Sequence, residues 1–204
     1  MGPEATPDVG QLIRAARESA DGLGRLLERY RNYLTLLARV QIGRRLRGKA
    51  DPADLVQDTF LEAHRYFDRF QGEVEPVLLA WLRRVLASQT ARLVRRYGGT
   101  QARDVDLERT LERELDSSSD QLDRGIVDRG ESPSGAAVRR EQAVLLADAL
   151  ARLQPDYREV IVLRQMEGLS FDEVAGRMGR SVDAVQKLWV RGLYQLRCSV
   201  EGQQ

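Results

Sequence analysis

Apolar residues recur every three or four positions along most of this chain, which is the spacing of helices that bury one face. The pattern runs from Val9 to Tyr97 and returns at Val138. No strand-length alternation and no internal repeat stands out in the sequence. The pattern therefore predicts an all-α protein with two small helical domains, at residues 9–97 and 139–200.

Residues 98–138 interrupt the helical pattern with few large apolar side chains and the polar run Ser117-Ser118-Ser119. Carboxylates outnumber arginines in this segment. These features predict a flexible acidic linker, with room for a short amphipathic helix at Val105–Leu115. A solvated tether is sufficient to explain this composition.

One predicted helix has an unusual surface. Asp51-Pro52 is a helix-start signal, and Val56, Phe60 and Ala63 form the buried stripe that follows. The opposite face carries three carboxylates around an exposed leucine, namely Asp54, Asp58, Glu62 and Leu61. A solvated charged face is the ordinary explanation for such a helix. The alternative is a docking face for a basic partner with an apolar contact at its centre.

The C-terminal segment has a pattern typical of a helix-turn-helix motif. Ser170 and Glu173 have the spacing of a capping box, Gly179 suits a turn with positive φ, and Ser181 can cap the next helix. The second helix should bury Val182, Val185, Leu188 or Trp189, Gly192 and Leu196. It should expose Asp183, Gln186, Lys187, Val190, Arg191, Tyr194 and Gln195. Glutamine can read adenine and a basic side chain can contact guanine or phosphate, so this face suits the major groove of DNA.

Charge is segregated along the chain although the net charge is only +1. One acid-free basic cluster runs from Arg39 to Lys49, and a second runs from Trp81 to Arg96. Such segregation can give a nearly neutral protein a positive face that attracts nucleic acid. In the second cluster, Trp81 is either a surface on which bases stack or the core anchor of its helix.

Several classes of function are disfavoured by the sequence. His64 and Glu62 are two residues apart on a helix and point in different directions, so they cannot form a catalytic dyad, and His64 is expected to be partly buried. The single cysteine, Cys198, excludes an intramolecular disulfide and a multi-cysteine zinc site, and a buried apolar role is expected for it. The sequence contains no phosphate-binding loop and no nucleophile motif. We therefore predict that the protein is not an enzyme and that it binds no metal and no cofactor.

No membrane insertion is predicted either. The longest apolar run, Val77 to Leu82, is too short to span a bilayer, and residues 1–8 lack the pattern of a secretory signal. The protein is expected in the cytoplasm.

The run from Asp54 to Leu61 with the downstream Asp68-Arg69-Phe70 resembles the polymerase-binding helix of sigma-70-type transcription initiation factors, in the small extracytoplasmic-function (ECF) class. The helix-turn-helix segment resembles the fourth conserved region of the same family. The resemblance extends from about Leu23 to Leu196, and the linker is covered only by its position. It implies a region 2-like helical bundle at the N-terminus and a region 4-like domain at the C-terminus.

The resemblance also implies roles for individual residues. Core RNA polymerase would be bound by Asp54, Gln57, Asp58, Leu61 and Glu62. The −10 promoter element would be opened, and a flipped base captured, by Trp81, Arg84, Ser88, Gln89, Arg92, Arg95 and Arg96. The −35 element would be contacted by Arg180, Ser181, Gln186, Lys187 and Arg191. By the same resemblance, the acidic linker would enter the RNA path of the polymerase as a polyanion mimic.

Two departures from the common family pattern affect specificity. Many members have an asparagine where this chain has Ser88-Gln89, and two basic residues around a serine are frequent where it has Gln186, Lys187 and Leu188. The identity of the captured base and of the −35 sequence is therefore left open.

These observations predict a dissociable sigma factor that binds core RNA polymerase and recognises promoter DNA. Two small domains on a tether can be clamped together by an inhibitor, so an anti-sigma factor is considered as a further partner. The alternative is a stand-alone helix-turn-helix regulator that binds duplex DNA, which leaves the acidic helix and the Trp81 segment without a purpose.

Overall fold

The computed structural model describes residues 8–46, 49–98, 104–123 and 136–201, and this part of the chain is helical with short connections. The all-α prediction is confirmed. Ten helices are described: α1 (Val9–Glu18), α2 (Ala20–Arg29), α3 (Arg31–Arg45), α4 (Pro52–Tyr66), α5 (Glu75–Gly98), α6 (Asp104–Asp123), α7 (Ala136–Arg152), α8 (Pro155–Ile161), α9 (Phe171–Met178) and α10 (Val182–Glu201).

Helices α1 to α5 form a bundle around a continuous apolar core. Leu26, Leu34 and Leu82 are fully buried in it, and each such side chain contributes about 1.5–3 kcal/mol when removed from water. The buried Tyr30 donates its hydroxyl to Glu75 Oε1 at 2.8 Å, which joins the end of α2 to the start of α5. The Tyr30 ring is therefore packed without leaving its polar atom unsatisfied.

Helix α4 begins where the sequence predicts. The Asp51 carboxylate accepts a hydrogen bond from the backbone N–H of Ala53 at 2.8 Å, and Pro52 occupies the first turn. Val56, Phe60 and Ala63 are buried as predicted. A 3₁₀ turn at Phe67–Arg69 follows. Phe67 begins this turn, Phe70 comes directly after it, and both side chains are buried. This arrangement leaves the opposite, acidic face of α4 toward solvent.

The prediction of a flexible linker is wrong for residues 104–123, which form the 20-residue helix α6. Leu111, Leu115 and Leu122 are buried against neighbouring helices, chiefly α5 and α7. The physical reason is that three leucines at helical spacing form an apolar stripe, which packing stabilises even when the rest of the segment is polar. The predicted short helix at Val105–Leu115 is present as the first part of α6. Of the other predicted linker residues, 98 belongs to α5 and 136–138 belong to α7, while 99–103 and 124–135 lie outside the described residues.

The acidic side chains of α6 contact cations of the N-terminal bundle. Asp116 Oδ1 lies 2.6 Å from Arg83 Nε, and Glu114 Oε1 lies 2.5 Å from Arg45 Nη2. The buried Ser119 accepts a hydrogen bond from the Tyr33 hydroxyl at 2.9 Å. The leucines of α6 therefore pack on the N-terminal bundle, and the ion pairs fix the orientation of α6 on it.

The C-terminal half packs on α3 of the N-terminal bundle. Asn32 Nδ2 donates to Asp148 Oδ1 at 2.8 Å, and Arg44 Nη2 donates to the carbonyl oxygen of Met166 at 2.6 Å. Arg39 forms an ion pair with Glu159 in the same contact. In this structure the N-terminal and C-terminal halves are therefore in direct contact with each other.

The helix-turn-helix elements follow the predicted pattern. Ser170 Oγ accepts from the backbone N–H of Glu173, and the Glu173 carboxylate accepts from the backbone N–H of Ser170, which completes the capping box. These hydrogen bonds to Ser170 lower the pKa of Glu173 from its ordinary value. Gly179 ends α9 with φ of 63°, in the left-handed region that glycine adopts without steric cost.

Helix α10 packs closely on α8. A Cβ atom at Gly192 would lie 3.2 Å from Tyr157 Cβ and from Ile161 Cδ1, so the missing side chain permits this approach. Before the helix-turn-helix, the chain passes through a π-helical turn at Val162–Met166. Two burial predictions are wrong, because His64 and Cys198 are both exposed. Each lies on the solvent side of a helix whose apolar stripe is supplied by other residues.

Candidate functional site

The acidic face of α4 is a continuous open surface. Helical spacing places Asp54, Gln57, Asp58 and Leu61 on one side of α4, opposite the buried stripe. All four are exposed, and the Leu61 side chain is 52% exposed although leucine is usually buried. The surface thus presents an apolar centre with carboxylates around it, as the sequence predicts.

Glu62 lies at the edge of this surface and has a different environment. Its side chain is only 12% exposed, and its carboxylate contacts Arg92 Nη2 at 3.0 Å and Arg65 Nη1 at 3.5 Å. Within the described residues, by contrast, Asp58 forms no ion pair. Of the predicted polymerase-binding carboxylates, Asp58 is available to a partner without breaking an existing pair, whereas Glu62 is already engaged.

A groove separates α4 from the second half of α5. Its volume is about 300 Å³, and it is lined by Asp58, Leu61, Glu62, Arg65, Gln89, Arg92, Leu93 and Arg96. Residues predicted to bind polymerase and residues predicted to bind the −10 element therefore face one another across it. The sequence gives no indication of this proximity, because the two sets are separated by the turn and loop after α4.

One stripe of α5 carries most of the predicted −10 residues. Trp81, Arg84, Ser88, Arg92 and Arg95 share a face at steps of three and four residues. Arg84 and Arg92 are exposed, and the other three are partly buried. Arg84 Nε also lies 3.6 Å from Glu112 Oε1 of α6. Cations spaced by one helical turn suit the backbone phosphates of a DNA strand.

Trp81 combines the two roles that the sequence leaves open. Its ring packs against Phe67 and Phe70, with ring centroids 5.9 Å and 5.1 Å away, so part of the ring anchors α5 in the core. Another part lines a cavity of about 620 Å³ beside the loop after α4. Gly72, Val77 and Arg84 line the same cavity. An aromatic surface, an aliphatic side chain and a guanidinium therefore meet in a space that can admit a planar ring.

Gln89 and Arg96 do not lie on the Trp81 stripe. Gln89 is only 8% exposed and faces the α4–α5 groove, where its Oε1 accepts from Arg92 Nη1 at 3.4 Å. Its Nε2 is buried with no hydrogen-bond partner among the described residues. Of the Ser88-Gln89 pair, Ser88 is therefore the residue that lies on the same stripe of α5 as Trp81.

The helix-turn-helix presents the predicted −35 residues from two elements. Gln186, Lys187 and Arg191 are exposed on one face of α10. Ser181 Oγ accepts from the backbone N–H of Ala184 at 3.3 Å, so Ser181 acts as the helix cap. Arg180 Nη2 lies 2.5 Å from Asp156 of α8, at the turn before α10.

Two further residues of this face carry no assigned contact from the sequence. Val190 and Tyr194 are predicted to face outward, and the structure confirms this, with exposures of 60% and 70%. They lie between and beyond Gln186 and Arg191 on the same side of α10. Valine and tyrosine are less typical of base contacts than glutamine, lysine and arginine, so the sequence indicates the position of both residues on this face but no DNA contact for them.

Groups of acidic residues, histidine and cysteine that could hold a metal ion are not found within the described ranges. No helix in those ranges is both long and apolar enough to cross a bilayer.

Comparison with known proteins relates both halves of the chain to one family. A family model for sigma-70 region 2 matches residues 26–100, and a model for sigma-70 region 4 matches residues 143–196. The first match includes α3 to α5, and the second runs from within α7, through α8 and α9, to within α10.

Similar proteins extend the likeness across the connection. The chain is 29% identical over 200 residues to the ECF RNA polymerase sigma factor BldN of Streptomyces coelicolor, a match that covers 95% of this chain and 67% of that protein. It is 31% identical over 156 residues to the RNA polymerase sigma factor CarQ of Myxococcus xanthus, covering 76% of this chain and 78% of that protein. A solved structure of CnrH in complex with the cytosolic domain of CnrY matches 97% of this chain and all of that chain, with 27% identity and a TM-score of 0.32.

Proposed function

This chain belongs to the extracytoplasmic-function class of the sigma-70 family, and we propose that one face each of α4, α5 and α10 performs a separate step of promoter recognition. The chain is a promoter-specificity subunit that binds core RNA polymerase and promoter DNA. The assignment of polymerase docking to α4, of −10 opening to α5 and of −35 binding to α10 is the proposed part. The domain limits 9–97 and 139–200, with residues 98–138 between them, belong to the same proposal.

Core polymerase docks on the acidic face of α4. The observation that carries this assignment is the exposed Leu61 surrounded by Asp54, Gln57 and Asp58, because an apolar centre with a charged rim is the composition of a protein interface. Glu62 contributes at the edge, where it is already paired with Arg92. A basic surface on the polymerase would complement this face.

The −10 element is opened along the Trp81 stripe of α5. Arg84, Arg92 and Arg95 neutralise phosphates, and the cavity beside Trp81 receives an unstacked base. Ser88 is suited to hydrogen-bond that strand because it lies on the same stripe. Gln89 and Arg96 act from the α4–α5 groove, on the flank of the stripe.

The −35 element is bound in the major groove by α10. Gln186, Lys187 and Arg191 reach base edges or phosphates from its exposed face, and Arg180 contacts the backbone from the turn. Ser181 fixes the start of α10 by capping it, at the helix end proposed to meet the DNA. A stand-alone regulator would need only this domain, whereas the open face of α4 fits a polymerase subunit.

The protein acts by binding and not by catalysis, in the cytoplasm where RNA polymerase is found. An inhibitory protein is a further proposed partner, because a protein that covers both the α4 face and the α10 face would prevent transcription. Pull-down of the tagged chain from its native cells checks this point. Recovery without any stoichiometric inhibitor would count against it.

The experiment that tests the main proposal is capture of the tagged full chain by purified bacterial core RNA polymerase. Asp58→Arg should abolish capture while leaving helicity, measured by circular dichroism, unchanged. Asp106→Arg is the matched control, because it makes the same charge change at an exposed aspartate on α6. Normal capture of the Asp58 variant would show that the acidic face of α4 is not the polymerase-docking surface. Failure of the wild-type chain to bind polymerase, with tight binding to duplex DNA alone, would favour the stand-alone regulator.

A further inference from the structure

The recognition face of α10 has an apolar centre. Val190 is 60% exposed and Tyr194 is 70% exposed, and these are the two highest exposures among the large apolar side chains of the described residues. They lie one helical turn apart on the same face. Isolated exposed apolar residues are ordinary on protein surfaces, but here they occupy the middle of a face whose other members are hydrogen-bonding residues.

Val190 lies within reach of base edges. It is eight residues after Val182, the first residue of α10, which is about 12 Å along the helix axis. The major groove is about 12 Å wide, so the first two to three turns of an inserted helix face bases. Gln186 lies one turn before Val190 and Arg191 lies next to it, so polar readers flank Val190 on both sides.

The chemistry of the groove restricts what Val190 can recognise. Base edges in the major groove present hydrogen-bond donors and acceptors, with one apolar group, the C5-methyl of thymine. Valine has no donor or acceptor in its side chain. Placing it against any other base edge would desolvate a polar group without replacing its hydrogen bond.

We propose that Val190 recognises a thymine in the −35 element by contact with the C5-methyl group of that base. This proposal rests on the −35 role of α10 proposed above. The contact makes Val190 a specificity-determining residue of promoter recognition. Neighbouring side chains contribute to recognition of the same element. Gln186 contacts the adjacent base pair, and Lys187 Nζ lies 2.7 Å from Asp183 Oδ2 on the same face of α10. Tyr194, one turn further, is placed for its hydroxyl to contact a phosphate as the helix leaves the groove.

The test removes only the methyl group from the DNA. Holoenzyme assembled from the full chain and core polymerase is first used to select its preferred −35 sequence from randomised promoter DNA. Each thymine of that element, on either strand, is then replaced in turn by deoxyuridine, and binding is measured for wild type and for Val190→Ala. Leu145→Ala is the matched control, because it truncates another exposed aliphatic side chain of the same half, on α7 and outside the recognition face of α10.

One thymine position should be sensitive to loss of the methyl group. We expect deoxyuridine there to weaken wild-type binding about threefold to fivefold, the size expected for one buried methyl group. Val190→Ala should bind thymine and deoxyuridine at that position equally, while Leu145→Ala keeps the wild-type difference. Circular dichroism should show that both variants are folded, as expected for exposed positions.

Three results would overturn the assignment. They are a selected −35 element without thymine on either strand, wild-type binding that is insensitive to deoxyuridine at every position, or a Val190→Ala variant that still distinguishes thymine from deoxyuridine. In these cases the −35 role of α10 survives. Selection of no −35 sequence at all by the holoenzyme would instead remove that role and Val190 with it.

Discussion

Glu62 Oε1 of α4 and Arg92 Nη2 of α5 are 3.0 Å apart and form an ion pair across the groove between the two helices. One residue belongs to the proposed polymerase-docking face and the other to the proposed −10 face. The pair is asymmetric, since the Glu62 side chain is 12% exposed and the Arg92 side chain is 51% exposed. Arg92 can therefore turn toward DNA, whereas Glu62 is held in place.

The first prediction follows from this pair. Glu62→Gln and Arg92→Gln should be non-additive in both polymerase capture and −10 DNA binding by the holoenzyme, because each change alters the environment of the other residue. Their coupling in folding stability should be small, about 0–1 kcal/mol, since solvent screens the exposed arginine. A double-mutant cycle measures all three quantities. Asp54→Asn combined with Arg92→Gln is the control pair and should be additive, and additivity in both pairs would show that the ion pair has no role in binding.

A second prediction separates the two basic residues of α10 that are proposed to contact the −35 element, Lys187 and Arg191. Lys187 Nζ lies 2.7 Å from Asp183, whereas Arg191 forms no ion pair within the described residues. Arg191→Ala should therefore weaken −35 binding more than Lys187→Ala. A side chain that reads a base contributes about 1–3 kcal/mol, and loss of a phosphate contact should instead reduce the slope of log affinity against log salt by about 1. Unchanged promoter use in both variants would mean that another face of α10 meets DNA.

The third prediction concerns acid pH. Hydrogen bonds from Ser170 lower the pKa of Glu173, whose ordinary value is 4.5, so the folded protein favours the ionised carboxylate. Its contribution to stability is fully present above pH 4.5 and is lost as the pH falls below that value through the lowered pKa. Urea unfolding should show wild type more stable than Glu173→Gln at neutral pH, with a difference that shrinks in acid. Because glutamine keeps the capping geometry but does not titrate, a difference independent of pH would contradict this role.

A fourth prediction tests whether α6 is docked in solution. Leu115 is fully buried between α6 and its neighbours, so Leu115→Ala should lower the free energy of unfolding by about 2–5 kcal/mol. Ser117→Ala, two residues away on the exposed side, should change it by less than about 0.5 kcal/mol. Chemical denaturation followed by circular dichroism provides both values. Equal stability of the two variants would indicate that α6 is detached.

The fifth prediction uses two glycines of α2. A Cβ at Gly22 would lie 2.1 Å from the carbonyl oxygen of Ala15 in α1, whereas a Cβ at Gly24 would meet no atom within 4 Å. Gly22→Ala should therefore destabilise the N-terminal bundle, by about 1–3 kcal/mol for overpacking. Gly24→Ala should stabilise it by about 0.5–1 kcal/mol through helix propensity. Thermal unfolding distinguishes the two, and a stable Gly22 variant would contradict the close approach of α1 and α2.

Local patterns determined much of this protein. The spacing of apolar residues predicts the helices and the buried stripe of α4, because a helix repeats every 3.6 residues wherever it packs. Ser170, Glu173 and Gly179 predict the helix-turn-helix, since capping and turn geometry depend on neighbours in sequence. The outward direction of Gln186 and Arg191 follows from the same periodicity.

Contacts between distant residues were decided only by the tertiary structure. The docking of α6, the Glu62–Arg92 pair and the packing of Trp81 on Phe70 each join segments whose separation along the chain carries no signal in the sequence. The exposure of His64 and Cys198 was decided in the same way, because burial depends on which neighbouring helix covers a face. Periodicity thus determined the faces of each helix, and packing determined what each face contacts.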